Sequence, residues 1–154
     1  MSDYDIVMGM LRKIKGVQGV SPFCEYNTIA HDRGRNNAST VIVRGIDVNT
    51  VASVSDIKDY ISAGSLDLDP DENGIPGIVV GRYVAVALNS MQIGDKIYLY
   101  GPSDIEEILD DLPPPPMHQF RIAGIFDSGY YDYDNAVGLI DLAEAQKILG
   151  IDDM

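Results

Sequence analysis

Residues 120–149 read FRIAGIFDSGYYDYDNAVGLIDLAEAQKIL, and this stretch decides the fold class. The apolar run over 118–126 predicts a strand, and the turn DSGYYDYDN over 127–135 separates it from a second strand over 136–140. A helix follows over 142–149. Asp141 and Glu144 form a capping-box-like pair at its start, Ala145, Ile148 and Leu149 give it an apolar stripe, and Gly150 stops it. These are short strands and helices in alternation.

Upstream lies GIVVGRYVAVALNSMQIGDKIYL, residues 77–99. It predicts a strand over 78–80, a helix over 82–88 and a strand over 96–100 entered through Gly94 and Asp95. This is a tight βαβ-like unit, in which Gly81 permits close approach of helix and strand and Asp95 can accept from turn amides. Before it, DLDPDENGIPG at 67–77 sets Asp67, Asp69, Asp71 and Asn73 at alternate positions. A helix-loop-helix calcium site needs glycine at its sixth position and glutamate at its twelfth, where this chain has Glu72 and Ile78. With Pro70 and Pro76 beside them, these residues predict a solvated acidic turn.

Toward the amino terminus, strands over 17–29 and 40–46 are joined by HDRGRNNAS, a hairpin signature. A short helix over 55–61 follows, with Gly64 as its stop. Ser2 or Asp3 caps a first helix that carries Ile6, Val7, Met10, Leu11 and Ile14 on one side and ends at Gly16. One segment breaks the alternation. GPSDIEEILDDLPPPPM at 101–117 holds four consecutive prolines, which donate no backbone hydrogen bonds and favour an extended, stiff polyproline conformation. It reads as a projecting arm between two strands.

The chain has 154 residues, 45% of them hydrophobic, enough for one domain with a real core or two small lobes. Its formal charge of -13 repels phosphate backbones and anionic head groups, so nucleic acid is not an expected partner. The charge is uneven: Arg12, Lys13, Lys15, Arg33, Arg35 and Arg44 lie in the first third, whereas 104–111 is almost purely acidic. Cys24 is the single cysteine, so no intrachain disulfide forms and no thiolate cluster holds zinc; on its strand it reads as a small buried apolar side chain. No signal peptide opens the chain and no run of about 18 apolar residues occurs, which predicts a soluble piece.

Catalytic signatures are absent: no GxSxG, no GxxxxGK[ST] and no GxGxxG. His31 and His118 share no helical face that would suggest a metal site. The turn bearing Tyr130, Tyr131 and Tyr133 among Asp127, Asp132 and Asp134 admits a carbohydrate-binding or two-carboxylate hydrolase reading, although aromatics near strand ends are commonly packing residues.

Three blocks, VRGIDVNTVASVSDIKDYISAGSLD at 43–67, the 77–99 unit and 120–149, together resemble the extracytoplasmic domain of lipoprotein-releasing ABC transporter permeases, relatives of the macrolide-exporter permeases. SDYDIVMGMLRKIKGVQGVSPF at the start resembles the family's first helix and strand. The resemblance implies an α+β fold with a mostly β central lobe with short helices, spanning 31–154 with the proline-rich insert at 101–117. It also implies a truncated porter-like α/β lobe, of which 1–30 supplies a helix and a strand. It further implies a non-enzymatic domain without cofactor, metal or catalytic residues, at the periplasmic face of the inner membrane. Flanking transmembrane helices would join it to a second permease and an ABC ATPase subunit. Its implied task is handling lipoprotein cargo on release toward a soluble lipoprotein carrier. An insert at the same place grips that carrier in one permease subtype, so Pro113, Pro114, Pro115, Pro116 and Met117, with Tyr130 and Tyr131, are the candidate partner-contact residues. The acidity of this insert departs from the family pattern. A related exporter of peptides or small amphiphiles is the alternative cargo class. With part of the first lobe lacking, Ile6, Met10, Leu11 and Ile14 lose their usual cover, and the chain is expected to hide them by self-association or by repacking the helix.

Overall fold

The computed structural model describes residues 3–14, 16, 21–32, 34, 36–51, 55–100 and 118–149. Its elements are helix α1 (Asp3–Arg12), strands β1 (Phe23–Asp32) and β2 (Ala38–Ile46), a 3-10 turn (Ile57–Tyr60), β3 (Ile61–Gly64) and β4 (Gly77–Gly81). Then come helix α2 (Arg82–Ala87), β5 (Lys96–Tyr100), β6 (His118–Phe126), a one-turn helix α3 (Tyr131–Asp134), β7 (Val137–Asp141) and helix α4 (Leu142–Leu149). The fold is α+β, dominated by its sheet.

The strands run in the order β3-β6-β4-β7-β2-β1-β5, and β6 also pairs with β5. Six of the seven therefore close into a barrel, with β3 added outside on β6. Two neighbouring pairs are parallel, β2 with β7 and β4 with β6; the other pairs are antiparallel. Alternation along each strand sends Val41 and Val43, Ile78 and Val80, Ile97 and Leu99, and Phe120 and Ile122 into one buried cluster that fills the barrel. The opposite faces of β4 and β7 are covered as well, because Val79, Val137 and Leu139 pack with Ile46, Val51, Ile57, Leu68 and Phe126 in a second cluster. Burial on both faces explains why β4, GIVVG, is apolar throughout. A register shift in the β4–β6 pairing skips Ala123, so Ile125 returns to the first cluster while Phe126 joins the second.

Strand direction places the helices. β4 and β6 run the same way and β7 runs against them, so α2, which follows β4, and α4, which follows β7, start at opposite ends of the barrel. α4 lies on β2 and β1, where a Cβ at Gly45 would collide with Ala145 and sit 3.1 Å from the Cys24 sulfur. Glycine at 45 is thus required by helix packing, and burial pushes the Cys24 thiol pKa up.

Several expectations need correction. Residues 61–64 form strand β3, paired with β6, so the expected helix over 55–61 shrinks to the 3-10 turn; Gly64 is tight against the Ala123 carbonyl with φ +69 and ends a strand, not a helix. The 77–100 unit is not a βαβ crossover, since β5 is antiparallel to β6 and β6 separates it from β4. The space at Gly81 is taken by the Asp134 backbone. The capping pair is half made: Asp141 Oδ2 accepts the Ala143 N–H at 3.0 Å, but Glu144 turns to Lys147 at 3.2 Å. The 127–135 turn contains α3.

Other local readings agree with the structure. The hairpin is present, with Asp32 Oδ1 accepting from the Asn36 and Asn37 amides, but the strand expected over 17–29 begins only at Phe23, after Ser21 and Pro22, and runs on to Asp32, across position 30 where the sequence reading divides the chain. Asp95 Oδ2 accepts the Gln92 N–H at 3.1 Å. Asp71 Oδ1 organises the acidic turn by accepting from Asn73 and Ile75. Residues 17–20 and Gly150 fall outside the described residues.

Candidate partner-contact surfaces

The turn carrying Tyr130 and Tyr131 is built around one buried carboxylate. Asp134, 1% exposed, accepts the Ser128 N–H at 2.9 Å and the Ser128 hydroxyl at 2.6 Å through Oδ1, and the Gly129 N–H at 3.2 Å through Oδ2. Gly129, at φ +83, reverses the chain so that α3 begins at once. With Asp134 held inward, Tyr130 and Tyr131 are turned out, 74% and 60% exposed. Tyr131 meets Tyr83 of α2 at a ring-centroid separation of 4.9 Å, and Arg82 pairs with Asp127 at 3.2 Å beside them. Of the three carboxylates in this turn, Asp134 is held within it and Asp127 pairs with Arg82, while Asp132 lines the depression beside the tyrosines.

Beside the tyrosines, an open depression of about 520 Å³ lies over the outer face of β2 and β7, lined by Ile42, Arg44, Glu25, Asp132, Ala136 and Val137 with Tyr130 and Tyr131. Across Arg44 a second depression, about 410 Å³, is lined by Phe23, Ile46, Val51, Ile57 and Leu139. Arg44 is fixed between them, donating to Glu25 at 2.6 and 2.9 Å and lying 5.2 Å from the Phe23 ring centroid. Tyr83 escaped sequence reasoning because it meets Tyr131 only where α2 reaches α3, and Arg44 and Phe23 escaped it although they meet across the β1–β2 hairpin.

The other candidates, Pro113, Pro114, Pro115, Pro116 and Met117, lie outside the described residues. The root of their segment is described: residues 101–117 join β5 to β6, whose closing pair is Leu99 with His118. The Thr28 hydroxyl donates to the Tyr100 carbonyl, and His31 stacks on Tyr98 at 5.2 Å and meets Tyr100 at 5.4 Å. β6 starts at this end and finishes at the other, where α3 lies, so the arm root and the tyrosine turn are at opposite ends of the barrel. They form two separate surfaces. His31 and His118 stand on strands separated by β5, and among the described residues no group of three His, Cys, Asp or Glu is placed to hold a metal.

α1 shows its apolar side to solvent. Ile6, Val7 and Met10, and Ile14 just after the helix, are each more than half exposed, while Met8 is buried. Among the described residues no helix is long and apolar enough to cross a membrane.

No protein-family model matches the chain. Curated relatives do: the lipoprotein-releasing system transmembrane protein LolC of Xylella fastidiosa (strain Temecula1 / ATCC 700964) is 24% identical over 153 residues, covering 99% of this chain and 35% of the relative. The chain resembles LolC along its whole length. The LolC of Neisseria meningitidis serogroup B is 23% identical over 154 residues, again across 35% of its own length, so the chain spans about a third of the curated relatives it matches. The extracellular domain of the noncanonic ABC-type transporter YknZ from Gram-positive bacteria has the same fold, with a TM-score of 0.61 at 13% identity over 99% of this chain and 68% of that one. The likeness to LolC and to an ABC transporter's extracellular domain is the one the sequence blocks imply.

Proposed function

We propose that this chain is a non-catalytic periplasmic domain of an ABC transporter permease, and that it handles lipoproteins as they leave the inner membrane for a soluble carrier. The observation that carries this reading is the similarity to LolC over 99% of the chain. Binding of nucleotide and its hydrolysis belong, on this reading, to an ATPase subunit, and a second permease and flanking membrane spans complete the machine. The division into a β-rich lobe and the start of a porter-like lobe is part of the same proposal; the uncovered apolar side of α1 supports it. The arm of residues 101–117, with Pro113–Pro116 and Met117, contacts the carrier, rooted in the paired ends of β5 and β6 and in the His31–Tyr98–Tyr100 stack. A stiff proline run on a rigid hairpin base presents its contacts at little entropic cost.

The test is a calorimetric titration of the chain with the purified soluble lipoprotein carrier, beside a variant with Pro113–Pro116 replaced by a Gly-Ser linker. Binding by the parent and its loss in the variant is the expected result. Absence of binding by both proteins moves the reading to a related exporter of peptides or small amphiphiles. Equal binding by both removes the arm from the contact.

A further inference from the structure

We infer that the outer edge of β3 takes an extended peptide segment of another protein, flanked by basic residues, as an added strand. The inference is independent of the transport reading and starts from the sheet. β3 pairs with β6 on one side, and among the described residues no strand lies on the other. Its contact with β6 runs from Tyr60, whose carbonyl accepts the Asp127 N–H at 2.8 Å, to Ser65, whose N–H donates to the Ala123 carbonyl at 3.0 Å. Ser62, Ala63, Gly64 and Ser65 are all exposed. None is charged and none is proline, the two residue classes that commonly guard a sheet edge. The register shift between Ile61 and Ala63 is tied down on the β6 side, where the Ser62 hydroxyl donates to the Ile125 carbonyl at 3.2 Å. Beside the edge an open depression of about 580 Å³, lined by Lys58, Ile61, Gly64, Ser65, Leu66 and Asp67, has room for the side chains of an added strand.

The edge itself states what conformation it accepts. A row of backbone N–H and C=O groups is matched by another extended backbone, whereas a helix has already spent its own on itself. Charge then decides whose strand it is. Asp56 and Asp59 precede β3 and Asp67 and Asp69 follow it, all exposed, against Lys58. Arg121 reaches the same flank from β6, but it is held by the Asp69 carbonyl at 2.8 Å and by Asp67 at 3.5 Å. The surroundings of the edge are therefore acidic on balance, in a chain whose formal charge is -13. A second copy would bring the same acidic flanks to the same edge and be repelled. A segment with Lys or Arg on either side of a short β-forming core meets opposite charge at both ends of the strand.

The probe is a labelled synthetic peptide of alternating Thr and Val between paired lysines, titrated into the full chain by fluorescence anisotropy and followed by amide resonances. Two altered peptides accompany it, one with alternate backbone amides N-methylated along the pairing edge and one with glutamate for every lysine. All variation is in the peptide, so the fold of the protein is never in question. The lysine peptide should bind and shift the amides of residues 61–65, and each altered peptide should bind at least about tenfold more weakly. Equal binding by the N-methylated peptide would mean charge attraction without strand addition and would overturn the inference. So would equal binding by the glutamate peptide, no binding of the lysine peptide at about 1 mM, or shifts confined to other residues. Concentration-dependent shifts at 61–65 in the chain alone would give the edge to a second copy and overturn it as well.

Discussion

The backbone of Asp134 occupies the space where a Cβ on Gly81 would stand, its Cα 2.9 Å from that position. Gly81 ends β4 and Asp134 ends α3, so one missing methyl group lets the tyrosine turn dock against the strand that leads into α2. Gly81→Ala must push the two apart, at a cost of about 1–3 kcal/mol for overpacking a tight contact. Urea unfolding reads the loss, and the amide resonances of Ser128 to Tyr131 should shift more than those of the β1–β2 hairpin.

Asp141 predicts a pH effect of opposite sign to the common one. Burial is the main cause holding its carboxyl above the ordinary value, with the Ala143 N–H pulling it partly back. The ionised form is therefore disfavoured in the fold. Its penalty is absent below the ordinary carboxylate pKa, grows as pH rises toward the folded value and is complete above it. Asp141→Asn keeps an acceptor for Ala143 and should match or exceed the parent's stability at pH 7, whereas Asp141→Ala should lose about 1 kcal/mol with the cap. Thermal melts of both variants at pH 7 check the order.

Asp71 works the other way. The Ile75 N–H is the largest cause lowering its carboxyl pKa, with the Asn73 N–H adding to it. The stability it contributes is full above the ordinary carboxylate value and is lost as pH falls from there through the lowered folded value. Asp71→Asn should make the acid limb of the stability curve shallower, as measured by denaturant melts from neutral pH downward.

Arg121 ties β6 to the acidic turn, donating to the Asp69 carbonyl at 2.8 Å and pairing with Asp67 at 3.5 Å. Arg121→Met should cost about 1 kcal/mol, since the partners are largely at the surface. Hydrogen exchange should quicken at Gly77, whose amide bonds to Leu68, and stay unchanged at β1.

The second core cluster is testable at Phe126, which is fully buried against Val79 and Leu139. Phe126→Ala should destabilise by about 3–5 kcal/mol, the usual range for emptying an aromatic site. Guanidinium unfolding of the variant checks it.

What the sequence made legible was local. β4, β5, β6, β7, α2 and α4 follow from apolar runs bounded by Gly and Asp, and the β1–β2 hairpin from its Asn-rich turn. β3 was missed because Ile57, Tyr60 and Ile61 also fit a helical spacing; pairing with β6 decided for strand over Ile61–Gly64. Barrel closure was illegible, since no local signal tells β7 to lie parallel to β2, nearly a hundred residues earlier. For the contact surface, a turn rich in aromatics near strand ends suggested packing as readily as exposure, and the fold turns Tyr130 and Tyr131 outward because Asp134 takes the buried place, while their neighbour Tyr83 comes from a separate helix.

The position of β7 also governs how this chain can be made. β7 fills the gap between β4 and β2, so both of those strands keep a bare edge until residues 137–141 have been synthesised and released. Everything before that point can assemble only an open sheet, β2-β1-β5-β6-β4 with β3 on β6, whose apolar face, with Val43 and Val80, lacks the cover that closure gives. During translation those two bare edges are therefore open to pairing with other nascent strands until β7 arrives to close the barrel.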